Sequence, residues 1–378
     1  MPDREKSVNS RSDPSVFFYI SGHGFGHASR QIEIINALGA ATADLAIVVR
    51  TSAPRWLFDR TVKVLFTVLE GEVDTGVVQI DSLHLDESAT VRRAAAFHST
   101  LIEKAQAEAG LLRERRASFV VCDAPALGCA AAAAAGIPSV VCSNFTWDWI
   151  YQAYVHADPD GVDLIARIQQ AYRTAHAAWR LPMHGGFQTF ANIVDVPLVA
   201  RRASDRSRHD VRRALGLPLD RPLALASFGG YGVRDFDVNG LDCLDTFAVI
   251  LTGRDGAPRL PSSVYFINER KLYDGGPRYE DLVAAVDVVV TKPGYGIVSE
   301  CIANDTAMLY TSRGVFPEYD VFVREMPRYL RCEFISNDDL LAGRWRESLT
   351  RLMDQPPPPE QPATNGAETV AGMIRTAI

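Results

Sequence analysis

Short apolar runs alternate with longer segments of helical periodicity along most of the chain. The first run, residues 16–20, is uniformly apolar, which predicts a buried strand. Glycines interrupt the pattern over residues 22–27, and apolar side chains then return at helical spacing at Ile32, Ile35 and Leu38. The order of strand, glycine-rich turn and helix predicts a βα unit whose turn lies at the carboxyl end of the strand.

The same alternation continues almost to the end of the chain. Further predicted strands fall into two groups, one in each half of the sequence: residues 44–49, 119–122 and 139–142, then 223–228, 246–251, 264–267, 286–290 and 307–310. Helical segments separate them, the longest at 89–116. This order predicts an α/β fold in which parallel sheets are covered on both faces by helices.

Breaks in composition suggest how the chain divides. We predict a disordered polar tail at 1–15, a first α/β domain at 16–200, a linker at 201–220, a second α/β domain at 221–355, and a proline-rich break with a terminal helix at 356–378. Arginines crowd the linker and its border, from 201 to 213. They either attract a phosphorylated substrate or form the solvated start of a helix.

Composition narrows the class of protein. The 378 residues are 47% hydrophobic and 22% charged with a net charge of −7, which is ordinary for a globular protein and argues against a general nucleic-acid binder. The six cysteines include no CxxC pair, so we expect reduced thiols in a cytoplasmic protein rather than zinc or disulfides. The first residues lack the apolar stretch of a signal peptide, and the alanine-rich segment 124–142 is too broken to span a bilayer.

The turn after the first strand carries two imidazoles, His23 and His27. A glycine turn that leads into a helix is suited to anions, because unpaired N–H groups and the positive helix end point into one crevice. A neutral histidine there can also act as a general base. Asp123 and Asn144 each follow a later predicted strand, so they belong to the same sheet edge. The aromatic segment 144–151 is either an acceptor wall or core packing.

Two glycine turns in the second half repeat this anion-site pattern. Gly229 and Gly230 end one predicted strand, and residues 294–296 follow another and enter a helix. Such a helix start can hold a diphosphate, and Glu300 one turn later can accept hydrogen bonds from ribose hydroxyls. Glycine and serine also begin many helices that bind nothing, so repetition at strand ends is the informative feature.

Several blocks together resemble a known family. GHGFGHASR, VVCDAPALGCAAAAAAGIPSVVCSNFTWDWIY, DVPLVARR, the SFGG turn and VVVTKPGYGIVSECIA are similar to the N-terminal, glycosyltransferase-like part of plant L-arabinokinases and to free-standing bacterial relatives. More distantly the chain resembles GT-B glycosyltransferases, including the MurG-like family 28. The resemblance implies a GT-B fold: two Rossmann-like domains facing across a cleft, the first on the acceptor side and the second binding a nucleotide sugar.

The resemblance also implies roles for individual residues. His27 corresponds to a catalytic base and Asp123 to the carboxylate that orients it, while His23 is a further candidate. The region for the donor diphosphate is matched by Gly229, Gly230, Gly294, Tyr295, Gly296 and Ser299. Glu300 would contact the ribose, Lys292 would touch phosphate or only cover the loop, and Glu318 and Asp320 fall near the position for donor-sugar hydroxyls.

The implied reaction moves a sugar from a nucleoside diphosphate sugar, with a UDP-sugar as the expected donor, to a hydroxyl acceptor. Inversion is expected if His27 is the base, and no cofactor or metal is required because helix ends can stabilise the leaving diphosphate. A nucleotide-sugar epimerase or hydrolase, or a non-catalytic regulatory protein that binds sugar nucleotides, is an alternative. The sequence lacks the glycine-serine-rich loop of GHMP kinases, so we do not expect arabinose phosphorylation from this chain alone.

These site assignments have structural alternatives. His27 can be an ordinary histidine at a helix start, and His23 can hydrogen-bond within its own loop. Asp123 can cap the helix that follows Pro125. The sequence leaves the sugar, the acceptor and the oligomeric state open.

Overall fold

The computed structural model describes residues 14–42, 45–228, 233–244, 246–253, 260–268, 272 and 276–378. Its strands are β1 (Ser15–Ile20), β2 (Ala46–Thr51), β3 (Thr67–Glu70), β4 (Val78–Gln79), β5 (Leu85–Asp86), β6 (Ala117–Asp123), β7 (Ser139–Phe145), β8 (Ala177–Gly185), β9 (Ile193–Asp195), β10 (Leu223–Ala226), β11 (Ala248–Gly253), β12 (Val264–Asn268), β13 (Val288–Thr291), β14 (Ala307–Tyr310) and β15 (Cys332–Phe334).

The α-helices are α1 (Phe25–Ala41), α2 (Arg55–Thr61), α3 (Glu87–Ser99), α4 (Leu101–Glu114), α5 (Ala126–Ala135), α6 (Trp147–Gln152), α7 (Gly161–Tyr172), α8 (Arg208–Ala214), α9 (Tyr279–Ala285), α10 (Tyr295–Ala303), α11 (Pro317–Glu325), α12 (Asn337–Leu341), α13 (Arg346–Met353) and α14 (Gly366–Ala377). The long helical region predicted at 89–116 is helical over most of its length but divides into α3 and α4, because Thr100 leaves the helical conformation (φ −109°, ψ 27°).

Two parallel sheets organise the described residues. The first has the strand order β3-β2-β1-β6-β7-β8-β9, and the second has the order β12-β11-β10-β13-β14-β15. β4 and β5 form a separate antiparallel hairpin. Both large sheets carry helices in their crossovers, which confirms the predicted α/β architecture.

Each large sheet has one topological switch point, where successive crossovers leave in opposite directions. In the first sheet it lies between β1 and β6, and in the second between β10 and β13. Crevices at the carboxyl ends of strands form at such points and bind ligands. The register pairs Ile20 with Asp123, so the turn after β1 and the end of β6 lie side by side.

Each large sheet forms the centre of one structural unit, and the two units are in contact. α1 packs against both α10 and α14, so the end of the chain returns to the first unit. Residues 1–13 of the predicted tail lie outside the described residues, and β1 begins at Ser15. The exact domain boundaries remain a prediction. The predicted linker at 201–220 lies between β9 and β10.

The alanine-rich helix α5 packs unusually close to the first sheet. Small side chains make this approach possible, and Gly128 is the tightest point: a Cβ on Gly128 would lie 2.6 Å from Cys122 Sγ and 2.8 Å from Tyr19 Cγ. Gly136 then ends the helix in the left-handed conformation (φ 74°), which glycine adopts without strain. This packing holds the end of β6, and with it Asp123, against β1.

We therefore expect opposite effects from two alanine substitutions in neighbouring helices. Gly110→Ala in α4 adds a Cβ that meets nothing within 4 Å, so it should stabilise the fold by up to about 1 kcal/mol through helix propensity. Gly128→Ala should destabilise it by about 1–3 kcal/mol, because the new methyl group overpacks the core. Urea unfolding of both variants measures the difference, and equal midpoints would contradict the close packing of α5.

Candidate active site

His27 and Asp123 form a buried pair at the switch point of the first sheet. His27 lies in the first turn of α1, and Asp123 ends β6. The His27 Nδ1 atom lies 2.7 Å from Asp123 Oδ2, and the two residues are 7% and 0% exposed. The sequence placed them at one sheet edge, and the parallel register of β1 and β6 brings them into contact.

The contact with Asp123 leaves the other ring nitrogen of His27, Nε2, able to accept a proton. A carboxylate only accepts hydrogen bonds, so Nδ1 carries the proton and Nε2 of the neutral ring is left without one. Burial opposes ionisation of Asp123, but the charges of Arg30 and His27 outweigh it and hold the pKa of Asp123 below its usual value. The rings of Phe145 and Trp147 pack against the imidazole, at centroid distances of 5.4 and 6.2 Å.

His23 lies beside this pair. Its ring centroid is 6.4 Å from that of His27 and 5.8 Å from that of Trp147. Its backbone N–H donates to Ser21 Oγ at 3.2 Å, which is the local loop contact that the sequence left open. Burial, with nearby positive charge, lowers the pKa of His23 well below its ordinary value. His23 is therefore a neutral residue of the cleft lining at pH 7.

Arg30 is the residue of this site that sequence reasoning missed. It lies one helical turn after His27, and its guanidinium is buried between the carboxyl end of β6 and the carboxyl end of β7. Its Nε donates to Asp123 Oδ1 at 2.7 Å, and Nη2 donates to Asp123 Oδ1 and to Ser143 Oγ. The i, i+3 spacing of His27 and Arg30 was the available signal, since it puts both on one face of a helix.

A polar chain crosses the cleft between the two units. Arg30 Nη1 donates to Asn144 Oδ1, and Asn144 Nδ2 donates to Glu318 Oε1 at 2.7 Å. Glu318 also accepts from Arg313 Nη1 at 3.4 Å. Glu318, assigned from the sequence to donor-sugar hydroxyls, thus lines the cleft with protein partners on both oxygens. Asp320, two residues further along α11, is exposed and does not line the cleft.

The other wall of the cleft is the start of α10. Gly294 precedes the helix, and Gly294, Tyr295 and Gly296 all line the cleft. The helix comes very close to α1: a Cβ on Gly296 would lie 3.1 Å from Gly26 Cα. Two helix N-termini therefore converge beside the His27 pair, and both direct positive dipole ends towards it.

The remaining candidates of the second unit fall into three groups. Gly229 and Gly230 lie outside the described residues, although Phe228 just before them lines the cleft. Ser299 does not line it, and its hydroxyl donates to Gly296 O at 2.9 Å within α10. Lys292 lines the cleft, and its backbone carbonyl accepts from Thr291 Oγ1 at 3.1 Å, but its amine has no hydrogen bond or ion pair with any residue the structure describes. Burial lowers the pKa of this amine well below the ordinary value.

Glu300 lines the cleft one turn into α10. Its Oε1 accepts from Arg201 Nε at 2.6 Å, whereas Oε2 is buried without a hydrogen-bond partner in the described part of the chain. Burial raises the pKa of Glu300 to about 7, although the charge of Arg201 opposes the shift. Arg201 is the one residue of the arginine-rich linker that lines the cleft, while Ser207 caps α8 behind it.

The cleft has a volume of about 440 Å³ and is largely apolar. Its aromatic lining comes from both units, as Phe25, Trp56, Phe228, Phe236 and Phe266. The sequence left open whether the aromatic segment 144–151 is an acceptor wall or core packing, and its residues divide between the cleft and the core. Phe145 lines the cleft, whereas Trp147 and Tyr151 are fully buried and stack on each other at 5.2 Å.

Two further observations concern ions and membranes. Within the described ranges, no group of three or more His, Cys, Asp or Glu side chains is arranged to hold a metal ion. Of the helices in the part of the chain that the structure describes, none has the length and apolar character to cross a membrane.

Comparison with known proteins gives one curated relative and many solved structures, while no protein-family model matches. The chain is 32% identical to "L-arabinokinase" of Arabidopsis thaliana over 100% of its own length and 36% of that protein's. It therefore spans about a third of the relative.

The solved structures share the fold at low identity. The glycosyltransferase of kitacinnamycin has a TM-score of 0.66 at 16% identity, with 97% of this chain and 100% of that chain covered. A UGT2 of Phytolacca americana, solved with UDP-2fluoro-glucose and pterostilbene, has a TM-score of 0.59 at 12% identity, with 97% and 93% covered. The calicheamicin glycosyltransferase CalG4 has a TM-score of 0.58 at 13% identity, with the same coverage.

The raised pKa of Glu300 predicts a dependence of stability on pH. A carboxyl group whose pKa rises from 4.5 when unfolded to about 7 when folded stabilises the protein below pH 4.5, and this contribution is lost as the pH rises to about 7. Glu300→Gln keeps the shape without the charge. As the pH rises through this range, the free energy of unfolding of the variant minus that of the native protein should therefore increase by up to about 3 kcal/mol.

Thermal unfolding of both proteins in a series of buffers measures this effect, with the exposed Glu103→Gln in α4 as the control. A constant difference between Glu300→Gln and the native protein at every pH would show that Glu300 ionises normally.

Proposed function

Because the chain has the GT-B glycosyltransferase fold and matches a segment of an L-arabinokinase along its whole length, we propose that it transfers a sugar from a nucleoside diphosphate sugar to a hydroxyl acceptor. The observation that carries the proposal is the pair of His27 and Asp123, which faces the start of α10 across one cleft. A base and an anion-binding helix end are the two groups that this reaction needs.

In the proposed reaction, His27 Nε2 takes the proton of the acceptor hydroxyl. The acceptor oxygen forms its bond to the anomeric carbon while the bond from that carbon to the diphosphate oxygen breaks, and the nucleoside diphosphate leaves with the electron pair. Asp123 stabilises the imidazolium that forms. Attack on the side opposite the leaving group inverts the anomeric configuration.

The donor would lie against the second unit. The N-terminus of α10 and the unpaired amine of Lys292 suit a diphosphate, whose negative charge would favour the protonated amine despite its burial. Their positive potential would support departure of the leaving group without a metal ion. The unpartnered Oε2 of Glu300 is available to a ribose hydroxyl. The aromatic lining suits the nucleobase, and a UDP-sugar is the donor we propose. The proposed partners are this donor and a small-molecule or glycan acceptor, not nucleic acid.

Loss of the base should abolish transfer while leaving the donor site intact. We expect His27→Ala and Asp123→Asn each to lower turnover by about two orders of magnitude or more, the usual size of a general-base effect. The assay follows nucleoside diphosphate release from a panel of nucleoside diphosphate sugars with sugar and phenol acceptors. His84→Ala is the matched control, because His84 also pairs with an aspartate, Asp81, at 3.0 Å, but is itself exposed.

Each other outcome of that assay identifies a different function. Unchanged turnover in both variants would contradict the mechanism. Consumption of the donor without any acceptor would indicate an epimerase or hydrolase instead. Donor binding without turnover in the native protein would indicate the non-catalytic regulatory alternative.

The donor half of the proposal is tested by binding alone. Lys292→Ala should weaken the binding of UDP about tenfold, because it removes a charge-assisted contact to the diphosphate, and should leave the affinity for uridine unchanged. Isothermal titration of both ligands measures the effect, with the exposed Lys63→Ala as the control. Equal losses for UDP and uridine would contradict a diphosphate site at Lys292.

A further inference from the structure

Protein groups already engage the donors of the Arg30 guanidinium. Arg30 is 3% exposed, and its donors engage Asp123, Ser143 and Asn144. Its guanidinium also lies over the ring of Tyr295, 5.2 Å from the centroid, so the second unit covers its open face. These contacts leave it little freedom to move or to bind substrate directly.

The position of Arg30 is fixed from both sides of the cleft. Asn144 accepts from Arg30 and donates to Glu318, and Arg313 holds Glu318 from the second unit. The planar guanidinium presents its donors in a rigid fork, so partners in several directions fix its orientation as well as its place. A lysine with a single ammonium group cannot reproduce this set.

This fixed charge lies next to the proposed base. Arg30 Nη2 is 3.1 Å from His27 Nδ1, and the two residues bond to different oxygens of one carboxylate, His27 to Oδ2 and Arg30 to Oδ1 of Asp123. If His27 became imidazolium, two positive charges would share one carboxylate. The arrangement therefore favours the neutral ring, with Nδ1–H on Asp123 and Nε2 available to a substrate proton.

Two further titratable groups of the first unit lie near His27. His23 faces it from the turn before α1, and Asp74 lies within electrostatic reach of it from the loop before β4. Asp74 accepts from Ser21 Oγ and Trp147 Nε1, at 3.0 and 2.7 Å. Burial raises the pKa of Asp74 to about 6.

The second unit contributes its own charges to this region. Lys292 and Arg313 lie within electrostatic reach of His23, the neighbour of His27. Tyr295 covers Arg30 from the same side. Among the cationic side chains in the part of the chain that the structure describes, Arg30 is the one with a nitrogen in contact with the His27 ring.

We propose that Arg30 is a positioning residue which, through its shared contact with Asp123, keeps His27 neutral and oriented as a proton acceptor. The proposal rests on His27 being the base of the proposed function. Arg30 borders the cleft, but its donors are engaged by Asp123, Ser143 and Asn144, so we assign it neither a substrate contact nor a proton transfer. It influences the charge of His27, and by holding Asp123 in place it supports the carboxylate that sets the tautomer.

The test follows the protonation of the His27 ring by nitrogen-15 NMR of histidine-labelled protein, with the His27→Ala spectrum identifying its signal. In Arg30→Gln the titration midpoint of His27 should rise by about one pH unit or more, because Asp123 then has only the imidazolium as a cationic partner. Arg30→Lys, which keeps the charge, should stay closer to the native midpoint. Arg50→Gln is the control, since it breaks another arginine–carboxylate pair, with Glu108, in the same unit.

The double variant Arg30→Gln/Asp123→Asn guards against a single variant that does not fold, because it leaves no unpaired buried charge. Its His27 midpoint should lie above that of Asp123→Asn, in which the arginine charge is unopposed. Equal midpoints in native and Arg30→Gln protein, or in this second pair, would overturn the proposal. The titration needs no substrate, so it is independent of whether transfer occurs; if transfer does occur, the acidic limb of kcat/KM should move with the midpoint.

Discussion

The buried ion pair of Arg30 and Asp123 is the interaction on which the candidate site depends. Removing either partner alone would leave a charge inside the protein without compensation, which usually costs about 3–5 kcal/mol. The pair also fixes its surroundings: Asp123 holds His27 Nδ1, and Arg30 holds the ends of β7 through Ser143 and Asn144. A strong local constraint of this kind keeps an imidazole in one tautomer and one orientation, as a general base requires.

The same constraint extends to the second unit because the two sheets present their switch points to each other. β1 and β6 supply the base, and β13 supplies the start of α10. The helices meet at Gly26 and Gly296, where a Cβ on Gly296 would lie only 3.1 Å from Gly26 Cα, so a larger residue at Gly296 would push the two walls apart. The cleft is therefore a consequence of sheet topology in each unit and of the close approach at Gly296.

Much of this arrangement was predictable from the sequence, and the gaps have physical causes. Apolar runs followed by glycine turns predicted the βα units, and the shared sheet edge predicted that His27 and Asp123 lie close together. The resemblance to L-arabinokinases and GT-B glycosyltransferases is confirmed by the comparisons. Arg30 was missed because its i, i+3 spacing from His27 shows only that the two share a helix face; its burial depends on β6 and β7, which come much later in the chain.

By itself the sequence determined the order of strands and helices, the turns that end the strands, and the residue types available for chemistry. These depend on short-range periodicity and backbone preferences, which one chain segment carries alone. Only the tertiary structure decided which of these residues are partners. Glu318 pairs with Asn144 across 174 positions, and Glu300 meets Arg201 across 99. Such contacts depend on burial and on the packing of one unit against the other, and no local pattern records them.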